Sequence, residues 1–117
     1  MVFWVVDAIL KDQPTLQDCQ QFHEWLDAEK GFSHALPYNV MLLVEEVGEV
    51  AKEIRRMEYA LNGSGGEQAI AAARERLRDE LADCLAYIVK LANYTDIDLE
   101  RAYVQKMRDN ISREWTE

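Results

Sequence analysis

Apolar residues recur at the helical period along most of the chain. Between Asn39 and Leu61 they fall at Val40, Leu43, Val44, Val47, Val50, Ala51, Ile54 and Leu61. From Gln68 to Asn93 the stripe is Leu77, Leu81, Cys84, Leu85, Ile88, Leu91 and Ala92. Spacings of three and four residues predict amphipathic helices over 39–61 and 68–93. Thr15, with Asp18 three residues later, reads as a capping box that opens a helix over 16–29. Asp98 is the expected N-cap of a fourth helix, running from Leu99 to about Trp115. Gly31 and Pro37 punctuate the loop after the first helix, and Asn62-Gly63-Ser64-Gly65-Gly66 links the second to the third. Neither side of that link has enough residues to fold alone. There is no internal repeat and no low-complexity tract. The expected architecture is an all-α, four-helix bundle: one domain over 1–117, with 1–14 as an N-terminal extension that carries the apolar run Val2–Val6.

Charge and composition narrow the function. The 117 residues hold 22 Asp and Glu against 13 Lys and Arg, a formal net charge of -9. Binding to a phosphate backbone needs a positive footprint, so a nucleic-acid partner is not expected. A cation, or a nucleotide carrying one, suits an acidic chain better. Cys19 and Cys84 each fall within a helical pattern and form no C-x-x-C, which points to a reducing compartment and to neither disulfide nor zinc. Val2–Val6 has no basic flank and is too short to span a bilayer, so a cytoplasmic protein without membrane attachment is expected. The glycine-rich link lacks the Gly-Lys-Ser/Thr of a phosphate loop.

The informative residues are acidic. Glu45, Glu46, Glu49 and Glu53 fall within nine residues of the second helix, on an arc of about 100° largely away from the apolar stripe. They are either a solvated face or part of a site. Glu45/Glu49, Glu49/Glu53 and Glu46/Glu49 are like charges three or four residues apart, each costing a few tenths of a kcal/mol unless neutralised. Gly48 in their midst weakens the helix by about 1 kcal/mol relative to Ala, which implies a close approach to the backbone, by a crossing helix or by a ligand. On the third helix Glu80 and Asp83 project from one face at the edge of the apolar stripe, and Tyr87 continues that face. Antiparallel packing of helices two and three, favoured by the short link, lets Glu46/Glu49 and Glu80/Asp83 converge. Oxygen-only ligation suits magnesium, with manganese as a substitute. A di-iron site needs Glu-x-x-His, and neither His23 nor His34 has Glu three residues before it. Arg76 is placed to pair with Glu80 one turn on.

Glu45-Glu46-x-x-Glu49, then Glu80-x-x-Asp83, then Lys106-x-x-x-Asn110 resembles the signature of the MazG-type all-α nucleoside triphosphate pyrophosphohydrolases, over roughly Leu16 to Arg113. The resemblance implies a magnesium-dependent enzyme that hydrolyses (deoxy)nucleoside triphosphates to monophosphate and pyrophosphate, in nucleotide-pool house-cleaning. It implies Glu46, Glu49, Glu80 and Asp83 as metal ligands, and Glu45 at a further metal or orienting the attacking water. Lys106 and Asn110 become phosphate contacts, with Arg113 assisting. It also implies a homodimer or a dimer of dimers. Ala35 stands where some dCTP-directed relatives have the His of a His-x-Pro-x-Asn run, so the base is not transferred.

A base pocket needs a stacking surface and a few polar groups. Tyr87 beside the acids and His23 on the first helix are the candidates, His23 being equally readable as a surface residue; Trp25 and Phe32 are expected in the core. Two rivals stand beside this reading. One is a narrow-substrate relative acting on dUTP or phosphoribosyl-ATP. The other is a non-catalytic helical dimerisation module whose acids are only solvated.

Overall fold

The computed structural model describes residues 9–63 and 65–114. Four helices are described: α1 Leu16–Lys30, α2 Leu36–Leu61, α3 Gly66–Tyr94 and α4 Leu99–Ser112. No strand occurs among the described residues. None of the helices is long and apolar enough to cross a membrane. The Val2–Val6 run lies outside the described residues.

The helix ends follow local chemistry. Thr15 Oγ1 accepts the Asp18 N–H, and the Asp18 carboxylate accepts the Thr15 N–H, closing the expected capping box. Gly31 ends α1 in the left-handed region at φ 67°, the conformation for which a residue without Cβ is suited. Helix α2 starts three residues earlier than the apolar period predicts, because Pro37 sits in its first turn, where a missing N–H costs nothing. Asn39 ties that turn down: its Nδ2 donates to the Ser33 and Ala35 carbonyls at 2.9 and 2.8 Å. The side chain of Asp98 caps α4 as expected, and Arg113 is its C-cap; Trp115 lies outside the described residues.

Contacts group the chain into two compact units. The first, Ser33–Ile88, is the α2–α3 hairpin. Glu46 meets Glu80 and Asp83, while Glu53, further along α2, meets Arg76, earlier on α3. That reversed order makes the helices antiparallel. The second unit holds the chain up to Phe32 and from Val89 onward. There Gln20 Nε2 donates to Asn93 Oδ1 at 2.9 Å and to the Ile97 carbonyl at 2.8 Å, while its Oε1 accepts the Leu99 N–H at 2.9 Å. One α1 side chain thus satisfies an orphan donor at the start of α4. Asp27, 3% exposed, accepts a hydrogen bond from the Tyr94 hydroxyl and an ion pair from Lys90 at 3.4 Å.

Several core expectations are corrected. Ala73 and Val89 are almost completely buried, but Val44, Val47, Ile54, Leu81, Leu85 and Ile88 are all exposed on the single chain. At about 100° per residue, α2 has two apolar faces. One holds Leu43, Val50 and Met57 and turns toward α3 together with Glu46 and Glu53; the other holds Val40, Val44, Val47, Ala51 and Ile54. Helix α3 repeats this with Leu77 and Cys84 inward and Leu81, Leu85 and Ile88 outward. Phe32 is also exposed, lying 4.9 Å from the Lys90 ammonium rather than in a core. A Cβ built on Gly48 meets no described side chain or neighbouring element within 4 Å, so none of the described residues makes the close approach its glycine implies.

Candidate metal centre

Glu46, Glu80 and Asp83 form the site's centre. Each offers a carboxylate oxygen, and the three oxygens lie within 4.8 Å of one another. The α-helical period places Glu80 and Asp83 on one side of α3, and the antiparallel register brings Glu46 opposite them. Glu46 and Glu80 are half-buried, while Asp83 is exposed. The Oε2 of Glu46 is buried and accepts no hydrogen bond from the described residues.

Such crowding resists ionisation. Glu46 is pushed up to about 7, first by the adjoining Glu80 carboxyl, then by desolvation and by the charges of Asp83, Glu80 and Glu49. Asp83 is also raised above its ordinary value, by partial desolvation and by its neighbours Glu80 and Asp79. Burial and the nearby acids push the Tyr87 phenol and the Cys84 thiol up, so both stay protonated near neutrality. A divalent cation would offset the clustered negative charge and give the Glu46 oxygen a partner. All donors are oxygen, which suits magnesium or manganese rather than zinc.

The remaining predicted acids stand at the rim. Glu49 is exposed, with its carboxylate 3.8 Å from the Lys52 ammonium, yet near enough for its charge to raise Glu46. Glu45 is exposed and adds to the field at Tyr87. Glu53 departs from the acidic face assigned to it: only 2% of its surface is exposed. Both of its oxygens accept from the Arg76 Nε, at 3.0 and 2.8 Å, and from the Arg56 Nη1. Burial opposes its ionisation, but the two guanidiniums hold its carboxyl below the usual value. Arg76 therefore pairs across to α2, not along α3 with Glu80. The signal for this was present in the sequence, since seven residues after Glu46 an α-helix returns to nearly the same azimuth.

Other predicted residues belong to the second unit. Lys106 is exposed on α4, and half-buried Asn110 turns its Nδ2 toward the Met107 Sδ at 3.8 Å. Arg113 is the C-cap residue of α4. His23 packs edge-on against Phe22 with ring centroids 5.1 Å apart. Its buried Nδ1 has no hydrogen-bond partner among the described residues, and its pKa is lowered by burial, which Asp27 opposes and Lys90 reinforces.

The sequence of α2, α3 and α4 matches the family model of the MazG nucleotide pyrophosphohydrolase domain over residues 37–114. The chain belongs to this family. Its acidic triple falls within the matched segment. The chain is also 36% identical over 104 residues to dCTP pyrophosphatase 1 of Rattus norvegicus, and 37% identical over 105 residues to dCTP pyrophosphatase 1 of Homo sapiens. In both cases the match covers 86% of this chain and 59% of the relative. The chain thus spans about three-fifths of the length of these relatives.

Proposed function

We propose that this MazG-family chain is a magnesium-dependent hydrolase that converts (deoxy)nucleoside triphosphates to monophosphate and pyrophosphate, with a house-cleaning role in the nucleotide pool. The observation that carries the reading is the convergence of Glu46, Glu80 and Asp83, with a buried Glu46 oxygen that lacks a donor. In this proposal those three residues and Glu49 hold the metal. The bound ion supplies Lewis acidity, neutralises the triphosphate and lowers the pKa of a coordinated water.

The chain's own residues do the rest. Glu45 orients the attacking water and takes up its proton. The water oxygen bonds to the α-phosphorus, the bond from that phosphorus to the α–β bridging oxygen breaks, and pyrophosphate leaves with the electron pair. Lys106, Asn110 and Arg113 fix the phosphates, so that catalysis is mostly positioning and charge stabilisation. Tyr87 and His23 contact the base. These roles for Glu45, for the α4 residues and for His23 rest on the family resemblance.

The outward apolar stripes of α2 and α3 support a homodimer or a dimer of dimers as the working form. They lie on the side of the hairpin away from Glu49 and Asp83, so a second copy can cover them without closing the acidic side. Contiguous apolar exposure of this kind marks an interaction surface. Gly48 borders the α2 stripe, where its missing side chain admits a closely crossing helix.

Product analysis tests the activity. The protein is incubated with canonical and modified dNTPs and NTPs, in magnesium and in EDTA, with dCTP first because the named relatives are dCTP pyrophosphatases. Magnesium-dependent monophosphate and pyrophosphate are expected. Release of orthophosphate instead of pyrophosphate overturns the α–β cleavage, and no turnover across the panel leaves a non-catalytic helical module.

A further inference from the structure

The hairpin carries a second charged cluster next to the acidic triple. Glu53 is a single buried carboxylate, yet two arginines converge on it from different helices. Arg76 alone engages both of its oxygens through Nε, at 3.0 and 2.8 Å, and would already neutralise it. Arg56 adds a second guanidinium, whose Nη1 lies 3.3 Å from Glu53 Oε2 and also bonds Oε1. The cluster therefore has one surplus positive charge. The two Nη groups of Arg76, and the Nε and Nη2 of Arg56, make no hydrogen bond among the described residues. Each side chain is about half exposed, 44% for Arg56 and 50% for Arg76.

Helical arithmetic sets where these donors lie. At about 100° per residue, Arg56 shares an edge of α2 with Glu45 and Glu49, and Arg76 shares an edge of α3 with Asp83 and Tyr87. Because the helices are antiparallel, both edges flank the same side of the hairpin, opposite the outward apolar stripes. Along α3, Arg76 is one turn, about 6 Å, from Glu80; along α2, Glu53 is two turns, about 10.5 Å, from Glu46. A cation-binding cluster and a guanidinium pair thus stand in sequence along one polar face. Buried Glu53 holds the two guanidiniums in place, so less side-chain freedom is lost when an anion docks on them.

We infer that Arg56 and Arg76, clamped by Glu53, form the subsite for the distal phosphates of the metal-bound triphosphate, and hence for the pyrophosphate leaving group. This rests on the triphosphate reading of the acidic triple. Guanidinium forks match phosphate oxygens bidentately, and they stabilise the charge that accumulates on the bridging oxygen as the bond breaks. The arrangement also gives Glu53 a positioning role: it orients the arginines and touches no substrate itself.

The test is calorimetric binding of inorganic pyrophosphate in magnesium buffer, with magnesium binding alone measured separately. Wild type is compared with Arg56→Gln, which leaves Arg76 on Glu53 and the hairpin intact, and with Arg76→Gln. Arg78→Gln is the charge-matched control, since Arg78 is exposed, pairs among the described residues only with Glu75, at 3.4 Å, and lies on the other side of α3. Arg56→Gln is expected to weaken pyrophosphate binding about tenfold or more, with magnesium affinity and helicity unchanged. In turnover it should raise KM and the pyrophosphate inhibition constant together. The inference is overturned if Arg56→Gln binds pyrophosphate as wild type does, if Arg78→Gln loses as much, or if wild type binds magnesium but no pyrophosphate. Absence of magnesium binding by wild type instead brings down the metal-dependent reading itself.

Discussion

Glu46 and Glu80 place carboxylate oxygens within 4.8 Å of each other across the antiparallel α2–α3 pair, and the buried Oε2 of Glu46 accepts no hydrogen bond from the described residues. The neighbouring acids oppose the ionised form of Glu46. A proton or a divalent cation at Glu46 offsets that repulsion, and this competition makes the site testable without substrate.

The first prediction concerns the metal-free protein. Glu46 has a folded pKa of about 7 against an ordinary 4.5, so the folded state binds the extra proton between those values. Because the folded pKa is the higher one, stability falls as pH rises from about 4.5 to 7 and levels off above. Thermal melts in EDTA across that range should show the decline, and Glu46→Gln should flatten it. A wild-type melting temperature that climbs through this window would contradict the assignment.

Magnesium should reverse that trend. An ion at 100 times its dissociation constant adds about 2.7 kcal/mol to the native state, and the gain should grow with pH as protons stop competing. The variants Glu46→Gln, Glu80→Gln and Asp83→Asn should each lose most of the magnesium-dependent shift in melting temperature. Calorimetry on the four proteins separates specific binding from a general salt effect, which all four would share.

Glu49 offers a sharper check on the proposed chemistry. Its carboxylate is exposed and its ion pair with Lys52 is a surface one, worth little to the fold. Glu49→Gln should thus leave helicity and melting in EDTA unchanged while abolishing turnover of the best triphosphate. Retained activity would remove Glu49 from the metal site.

In the second unit, Asp27 neutralises Lys90, which is only 8% exposed. Breaking a buried pair by removing one partner is costlier than replacing both. Asp27→Ala should destabilise the protein by about 3 kcal/mol, read from urea unfolding as a lower midpoint at constant slope. The double variant Asp27→Leu/Lys90→Met should recover much of that loss.

The outward stripe predicts assembly. Val47→Glu puts a charge in the middle of it and should shift the protein from oligomer to monomer in light scattering after size exclusion. In a monomer the same change should cost little, because Val47 is already exposed there.

Much of the fold could be read from the residues. The capping box at Thr15, the Asp98 cap and the glycine-rich break between α2 and α3 depend on chemistry within a few positions. The structure reproduces all three. The acids Glu46, Glu80 and Asp83 were also legible, since their spacing places them at the edge of helical faces. Glu53 escapes the sequence pattern because a single apolar stripe does not describe α2. Helix α2 has two such faces, and the one turned toward α3 is mixed, with Glu46 and Glu53 between Leu43 and Val50.

Sequence by itself determined the helices, their caps and the identity of the acids, because these follow from the backbone period and from side chains reaching three or four residues. Which acids meet, and which are neutralised, was decided only by the α2–α3 register. That register sets Glu46 against Glu80 and Asp83 but Glu53 against Arg76, so two glutamates seven residues apart on one helix face acquire opposite electrostatic fates. One is left short of a cation and raised to about 7; the other is supplied with two and lowered. Local spacing cannot carry that distinction, because the charge that decides each case sits on the other helix.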